Sequence, residues 1–523
     1  MYSVKRVLFS LVVLAYPTIM HFPASAQDSA AMRIAATDPI AQDPPNRPFP
    51  QHTAYKGAAI LPSHLSREDL DDTVRSFYLR WKDHYILPGC SDGEKYVWFE
   101  GTKGTNICVS EGQGYGMMIV ALMAGFDSTA QETYDCLYRY YKSHPSTSSP
   151  NLMAWMQTRY CRSIDGGTAT DGDMDIAYSL LLADAQWGRH SNIPYRQKAM
   201  EIIAAIHREE INPVTYIVME ANGETPRSHD YFDMRSSDFM PDHIRAFRQA
   251  TGDSTWDSVL NNNYRIFRYL QDTYSPEAGL VPDFIKHIRL RTGQGFAGSP
   301  GGPGSSGSPA GSVATAAGPA PALPHGDGND VSDNIQEDDM SATPAQPNYL
   351  ESKYDGVYNF NACRVPWRIA ADYLVSGDKR AADFLARINP WIRTTTKGNP
   401  DNISAGYNLA GEDLPHRYYE ALCFICPFAV AAMASPNSPD NQQWLNKLWD
   451  YIVGFKMKDF DYYDNTIKMI DLIILSGNYW APGAPPVGPL VEAGQARKSE
   501  ARLRSGGGAP LTPAPPPAKI TAR

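Results

Sequence analysis

Four stretches of the chain bring together residue types that can move protons. Ser110-Glu111-Gly112-Gln113-Gly114-Tyr115-Gly116 sets one carboxyl among glycines, directly before the apolar run 117–123. There the backbone can approach a ligand closely while a buried helix anchors the turn. A carboxyl in that place can act as a catalytic acid, or it can simply complement the positive end of the helix dipole. Ala169 to Ala177 carries Asp171, Asp173 and Asp175 at alternate positions. The run starts like a calcium loop, but Ile176 stands where the sixth-position glycine belongs and Leu182 where the twelfth-position glutamate belongs, so that reading fails. Acids two and four residues apart cannot all cap one helix, so some must point elsewhere. Ser236 to Asp242 reads as a cap followed by proline near the first helical turn. Asn348 to Arg368 holds Glu351, Asp355, Asn361 and Arg364 among several aromatics, between a low-complexity segment and a helix. Loops at helix ends are where such groups can converge.

The elements that must position these residues are helices. Ser66 with Asp69 three residues on resembles a capping box, and Leu70, Val74, Phe77 and Trp81 recur at helical spacing. Similar patterns run over 113–125, 129–142, 173–187, 194–208, 241–251, 254–273, 366–376, 379–393, 417–434, 440–454 and 464–476, with very little strand alternation. Thr251-Gly252-Asp253 and Ser376-Gly377-Asp378 each end one helix and start another, glycine taking the left-handed conformation and aspartate capping the next helix. Tight turns repeated around about twelve helices predict an all-α chain closed as an α/α barrel.

The rest of the chain lies outside that plan. Lys5, Arg6, an apolar segment and Ala24-Ser25-Ala26 have the layout of a cleavable secretory signal over 1–26, which predicts a secreted or periplasmic protein. Residues 27–62 form a polar, proline-rich leader, and the barrel is expected over 63–484. Within it, 293–347 reads as a long low-complexity loop insertion, and 485–523 as a tail without structure. No stretch is long and apolar enough to span a bilayer. A net charge of −10 argues against nucleic acid and permits a cationic partner. Of the seven cysteines, Cys90 and Cys108 are a candidate pair, while Cys423 and Cys426 read as buried packing; no zinc spacing occurs, and neither metal nor cofactor is expected.

Ser110 to Met117 and Ala169 to Trp187 resemble the two most distinctive motifs of glycoside hydrolase family 8, whose members are inverting endo-acting hydrolases on an (α/α)6 barrel. Ser236 to Phe247, Asn361 to Asp372 and Tyr462 to Trp480 are similar to further blocks in the family's order, so the resemblance covers roughly 60–482. It implies that Glu111 is the general acid and Asp171 the signature acidic residue, with Asp173 beside it. Many members carry an aspartate base where this chain has Asn361, and an amide cannot take a proton from water at neutral pH. Some members with the asparagine, chitosanase-type enzymes among them, use a glutamate from an inserted loop instead. Glu351 matches that residue, and Asp355 is the fallback.

An inverting mechanism needs acid and base about 6.5–9.5 Å apart, with water between the base and the anomeric carbon. Glu111 must stay protonated, so burial and the Asp171 and Asp173 charges have to outweigh the helix N-terminus. Asn361 and Arg364 are expected at the substrate, and Trp98, Trp155, Tyr178, Tyr358, Trp367 and Tyr407 are candidates to stack on sugar rings. The expected partner is a polysaccharide, chitosan or a β-1,4-glucan, handled by a monomer. Chitosan is slightly favoured by the negative charge. The competing reading is a glycan-binding scaffold that kept the barrel and lost its base.

Overall fold

The first helix begins as its residues dictate: the Ser66 hydroxyl accepts from the Asp69 N–H at 3.2 Å, and the Asp69 carboxylate accepts from the Ser66 N–H at 3.2 Å. The computed structural model describes residues 44–101, 105–188, 191–292, 295–297, 340–457 and 461–483. Its frame is six outer helices, α1 (Arg67–Tyr85), α3 (Ala130–Ser143), α5 (Tyr195–Glu209), α7 (Thr255–Tyr274), α9 (Lys379–Thr395) and α11 (Pro439–Gly454). They alternate with six inner ones, α2 (Ser110–Leu122), α4 (Thr170–Trp187), α6 (Pro241–Thr251), α8 (Val365–Ser376), α10 (Leu422–Met433) and α12 (Tyr462–Leu475). The inner helices pack in the closed order α2, α4, α6, α8, α10, α12 and back to α2, each backed by an outer partner. This is the expected (α/α)6 barrel. Because the chain alternates outward and inward, all inner helices run the same way, and their N-termini gather at one end.

Composition separates the two rings. The inner α10 is Leu-Cys-Phe-Ile-Cys-Pro-Phe-Ala-Val-Ala-Ala-Met and is buried on every side, whereas the outer α5 buries one stripe of Tyr195, Ala199, Ile202, Ile203 and Ile206. Gly252 and Gly377 close α6 and α8 at φ 73° and 74°, and Asp378 caps α9 by accepting from the Arg380 N–H, as their sequence predicts.

Short strands decorate the barrel. β1 (Ile86–Pro88) pairs with β2 (Lys95–Val97), and β3 (Asn106–Val109) with β4 (Met156–Thr158), all antiparallel. A larger sheet joins β5 (Met234–Arg235), β6 (Phe284–Thr292), β7 (Gly295–Ala297) and β8 (Met340–Pro344), with β6 pairing to all three others. The expected insertion 293–347 is therefore structured at both ends, where β7 and β8 satisfy the open edges of β6. Residues 298–339 lie outside the described residues, as do the signal segment 1–26 and the tail 485–523.

Residues 44–62, read as part of a leader, do more than lead. Backbone bonds run from Asn46 to Gln186, Phe49 to Ala124, Thr53 to Gly477, Lys56 to Leu374 and Ile60 to Met433, so the segment straps the C-terminal ends of five inner helices. The disulfide also differs from expectation: Cys90 bonds Cys161, not Cys108. Cys108 faces the core from β3, its thiol 3.5 Å from the Gln113 carbonyl oxygen.

Candidate active site

Helix α2 starts at Ser110, earlier than its apolar run suggested, with extended Val109 before it and no side-chain cap. The glycines around Glu111 lie inside the helix, and they serve close packing. A Cβ on Gly112 would lie 2.7 Å from the Tyr462 hydroxyl, one on Gly114 2.6 Å from the Asp175 Cβ, and one on Gly172 2.4 Å from the Ser110 Oγ. The N-termini of α2, α4 and α12 can thus converge, and Glu111, Asp171 and Tyr462 stand where they meet.

Arg364, in the turn before α8, ties the carboxyls together. Its Nη1 donates to Glu111 Oε2 at 2.7 Å and to Asp171 Oδ2 at 2.8 Å, and its Nη2 donates to Asn361 Oδ1 at 3.0 Å and Ser237 Oγ at 2.8 Å. Tyr462 donates to Glu111 Oε1 at 3.1 Å. Burial pushes the Glu111 carboxyl up to about 7; Arg364 pulls it down and the Asp171 charge pushes it up again. Burial also opposes charge on Asp171, but Arg364 and Arg235 outweigh it and hold that carboxyl below its ordinary range. Two neighbouring carboxyls are thereby driven apart, one toward the acid and one toward the anion, the usual mark of divided proton duties.

Across the site, Glu351 Oε2 accepts from Asn361 Nδ2 at 2.9 Å, and its Oε1 lies 3.7 Å from Arg235 Nη2. Arg235 also faces Asp171 Oδ2 at 3.6 Å and Asp238 Oδ1 at 3.8 Å. With 36% of its side chain accessible, Glu351 can meet water and substrate. Asp355 cannot: it is fully buried, with Oδ2 accepting the N–H groups of Leu350 and Glu351 and Oδ1 that of Ser352. It organises the loop that presents Glu351. Tyr349, whose ring covers the Lys286 ammonium at 3.6 Å and whose hydroxyl donates to Asp233, pins the loop's other end. The loop is fixed rather than trailing from the insertion.

The remaining sequence candidates divide. Asp173 points away from the cleft, accepting the Met153 N–H at 2.8 Å, and Asp175 binds Arg368 and His243 beneath it. Four of the aromatics proposed for sugar stacking are core residues. Tyr178 lies flat on His243 at 3.8 Å, Trp367 packs on Tyr115 under the Arg368 guanidinium, and Tyr358 stacks on Phe428 and sits beside Tyr407. All four are at most 2% exposed, because they fall on or behind inner helices. Trp98, tilted on His84, and Trp155, which donates to Asp165, are half-buried next to the strands leading to Glu111. Sequence reading missed Arg235, which faces Asp171 and Glu351, and Asp283, which lies against Asn361. Arg235 directly precedes the Ser236 block, which was its available signal.

A barrel of twelve helices whose inner N-termini gather a carboxyl raised by burial and one held charged by arginines, with a loop glutamate beside them, belongs to the class of α/α-barrel hydrolases. Residues 76–295 match the model for glycosyl hydrolases family 8. The chain is 38% identical over 437 residues to a beta-glucanase of Niallia circulans, covering 83% of this chain and 92% of that one. It is 34% identical over 444 residues to an endoglucanase of Bacillus sp. strain KSM-330, covering 83% and 82%. The apo structure of a beta-1,3-1,4-glucanase from Paenibacillus sp. X4 superposes with a TM-score of 0.69 at 36% identity, covering 84% of this chain and all of that one. The chain belongs to glycosyl hydrolase family 8 and is a glycoside hydrolase.

Proposed function

We propose that this chain is an exported endo-acting hydrolase of β-1,4-linked glycans, with Glu111 as general acid and Glu351 as general base. The observation that carries this is the pairing of a carboxyl raised to about 7 with an accessible glutamate oriented by Asn361 across the same arginine-laced site. In the reaction Glu111 gives its proton to the glycosidic oxygen as the bond to the anomeric carbon breaks. Glu351 takes a proton from the water whose oxygen bonds to that carbon from the opposite face. Asp171 stays charged, keeps Arg364 in place and faces the positive charge that develops on the sugar.

The first substrate to test is a mixed-linkage β-glucan, the linkage named in the beta-1,3-1,4-glucanase structure and a member of the class named in the beta-glucanase relative. Chitosan remains the second reading, favoured by the net charge of −10, which attracts a polycation. A reducing-sugar assay on lichenan, carboxymethylcellulose and chitosan separates them. Release from lichenan alone supports the glucan reading, from chitosan alone the other, and from none of the three defeats both. Export rests on the signal-like layout of 1–26, and sequencing the mature N-terminus of the expressed protein tests it: Gln27 is expected first.

A further inference from the structure

Asp283 stands where the chain leaves the loop after α7 and enters β6, and it is 1% exposed. Its Oδ1 accepts the N–H of Asn359 at 2.9 Å and of Ala362 at 2.7 Å, the two groups that bracket Asn361. Its Oδ2 lies 3.5 Å from Asn361 Nδ2. The Asp283 N–H donates to the Val357 carbonyl, and its carbonyl accepts from Ser236, so the residue is fixed on both sides.

The orientation of the Asn361 amide follows from its neighbours. Arg364 has only donors, so the carbonyl oxygen must face it; the NH2 group then faces Glu351 at 2.9 Å and Asp283. Turning the amide over would set two donors together at Arg364 and an oxygen against two carboxylates. Asp283 therefore reinforces the orientation in which Asn361 donates to Glu351. Burial pushes the Asp283 carboxyl up to about 7, the Ala362 N–H lowers it, and the nearby Glu351 charge raises it.

We propose that Asp283 is the positioning residue for the general base, acting through Asn361, an inference that rests on the reading of Glu351 as base. It is not itself the base, because its buried oxygens are engaged by backbone and amide. In Asp283→Asn one oxygen can still accept the two backbone N–H groups. The new NH2 then confronts that of Asn361 and displaces it, which weakens its donation to Glu351.

The experiment is a double-mutant cycle on lichenan, or on chitosan if that proves the substrate, with thermal melts and azide added as an external nucleophile. Azide attacks the anomeric carbon while Glu111 protonates the leaving oxygen, giving a glycosyl azide of inverted configuration with no base required. Asp283→Asn is expected to lower kcat by about tenfold to a hundredfold with KM within about twofold. Glu351→Ala is expected to be nearly inactive, with its azide-supported turnover unchanged when Asp283→Asn is added. A loss of similar factor in both backgrounds, or a rise in KM with kcat intact, overturns the positioning role. Should Asp283→Asn fail to fold, Asp283→Ser takes its place in the same cycle: a lowered kcat with azide turnover in the Glu351→Ala background unchanged supports the positioning role, and a further loss in that background overturns it. A fully active Glu351→Ala would instead remove the base assignment itself, and the inference with it.

Discussion

At Glu111 burial and the Asp171 charge favour the protonated form, while Arg364 and the Tyr462 hydroxyl favour the anion, and burial prevails. The acid is therefore lost as pH rises through about 7, and the alkaline limb of kcat/KM should fall there. Glu111→Gln keeps the shape and cannot donate a proton; kcat should drop by about a hundredfold to ten-thousandfold while glycan binding persists. Activity within a few fold of wild type would remove Glu111 from the mechanism. Asp355→Ala tests the loop instead: three N–H groups lose their acceptor, so kcat should fall as Glu351 swings out of register, although Asp355 never meets substrate. Glu111, Asp171, Asn361 and Arg364, which the structure brings together, were legible as candidates because each sits in a compact motif beside a helix start, whereas Glu351, in a loop, was singled out only by the family resemblance. Arg235 and Asp283 were not legible, since they lie on or next to strands whose alternation the sequence hid, Arg235 in β5 one residue before the Ser236 block and Asp283 immediately before β6. Tyr178, Tyr358, Trp367 and Tyr407 misled because an aromatic near a motif reads the same whether its ring faces the cleft or the core.

Among the elements, the helices followed from their 3.6-residue period and the junction glycines, whereas the strands did not. In β6, Lys286, Ile288 and Leu290 point inward and alternate with exposed His287 and Arg289, but the inward Lys286 is charged and hid the period. That lysine is tolerated because it donates to Asp233 at 2.7 Å. The glycines show two mechanisms that one substitution can separate. At Gly252, with nothing within 4 Å of the added methyl and φ at 73°, alanine pays only for backbone strain. Gly252→Ala should cost about 1–2 kcal/mol in urea unfolding and leave kcat unchanged. At Gly114 the methyl meets the Asp175 Cβ at 2.6 Å between α2 and α4. Gly114→Ala should cost about 1–3 kcal/mol and also depress kcat, because the two helices that carry Glu111 and Asp171 must separate. Equal kcat values for the two variants would contradict the close-packing role of the α2 glycines.

Over the whole molecule, the carboxyls titrate in two opposed groups. Burial raises Glu111, Asp238 and Asp283 to about 7 and Glu210 and Glu220 to about 8. Asp378 is held down to about 2 by Arg380 and Arg245 against a burial cost, and Asp171 and Asp242 are lowered too. Raised groups bind more protons folded than unfolded, so their contribution is complete below about pH 4 and is lost as pH climbs through 7 to 8. Lowered groups act the other way, and their contribution is lost as pH falls from about 4 toward 2. Stability should therefore peak at mildly acidic pH, and the urea midpoint should be higher at pH 5 than at pH 8. A higher midpoint at pH 8 would show that these carboxyls ionise freely in the folded protein. The same linkage ties stability to catalysis at one residue. At pH 8 the wild type must bury an ionised Glu111 or bind a proton against the solution, and glutamine does neither. Glu111→Gln should unfold at higher urea than wild type at pH 8, with the gain shrinking at pH 5, so that the substitution that abolishes hydrolysis also flattens the pH dependence of folding.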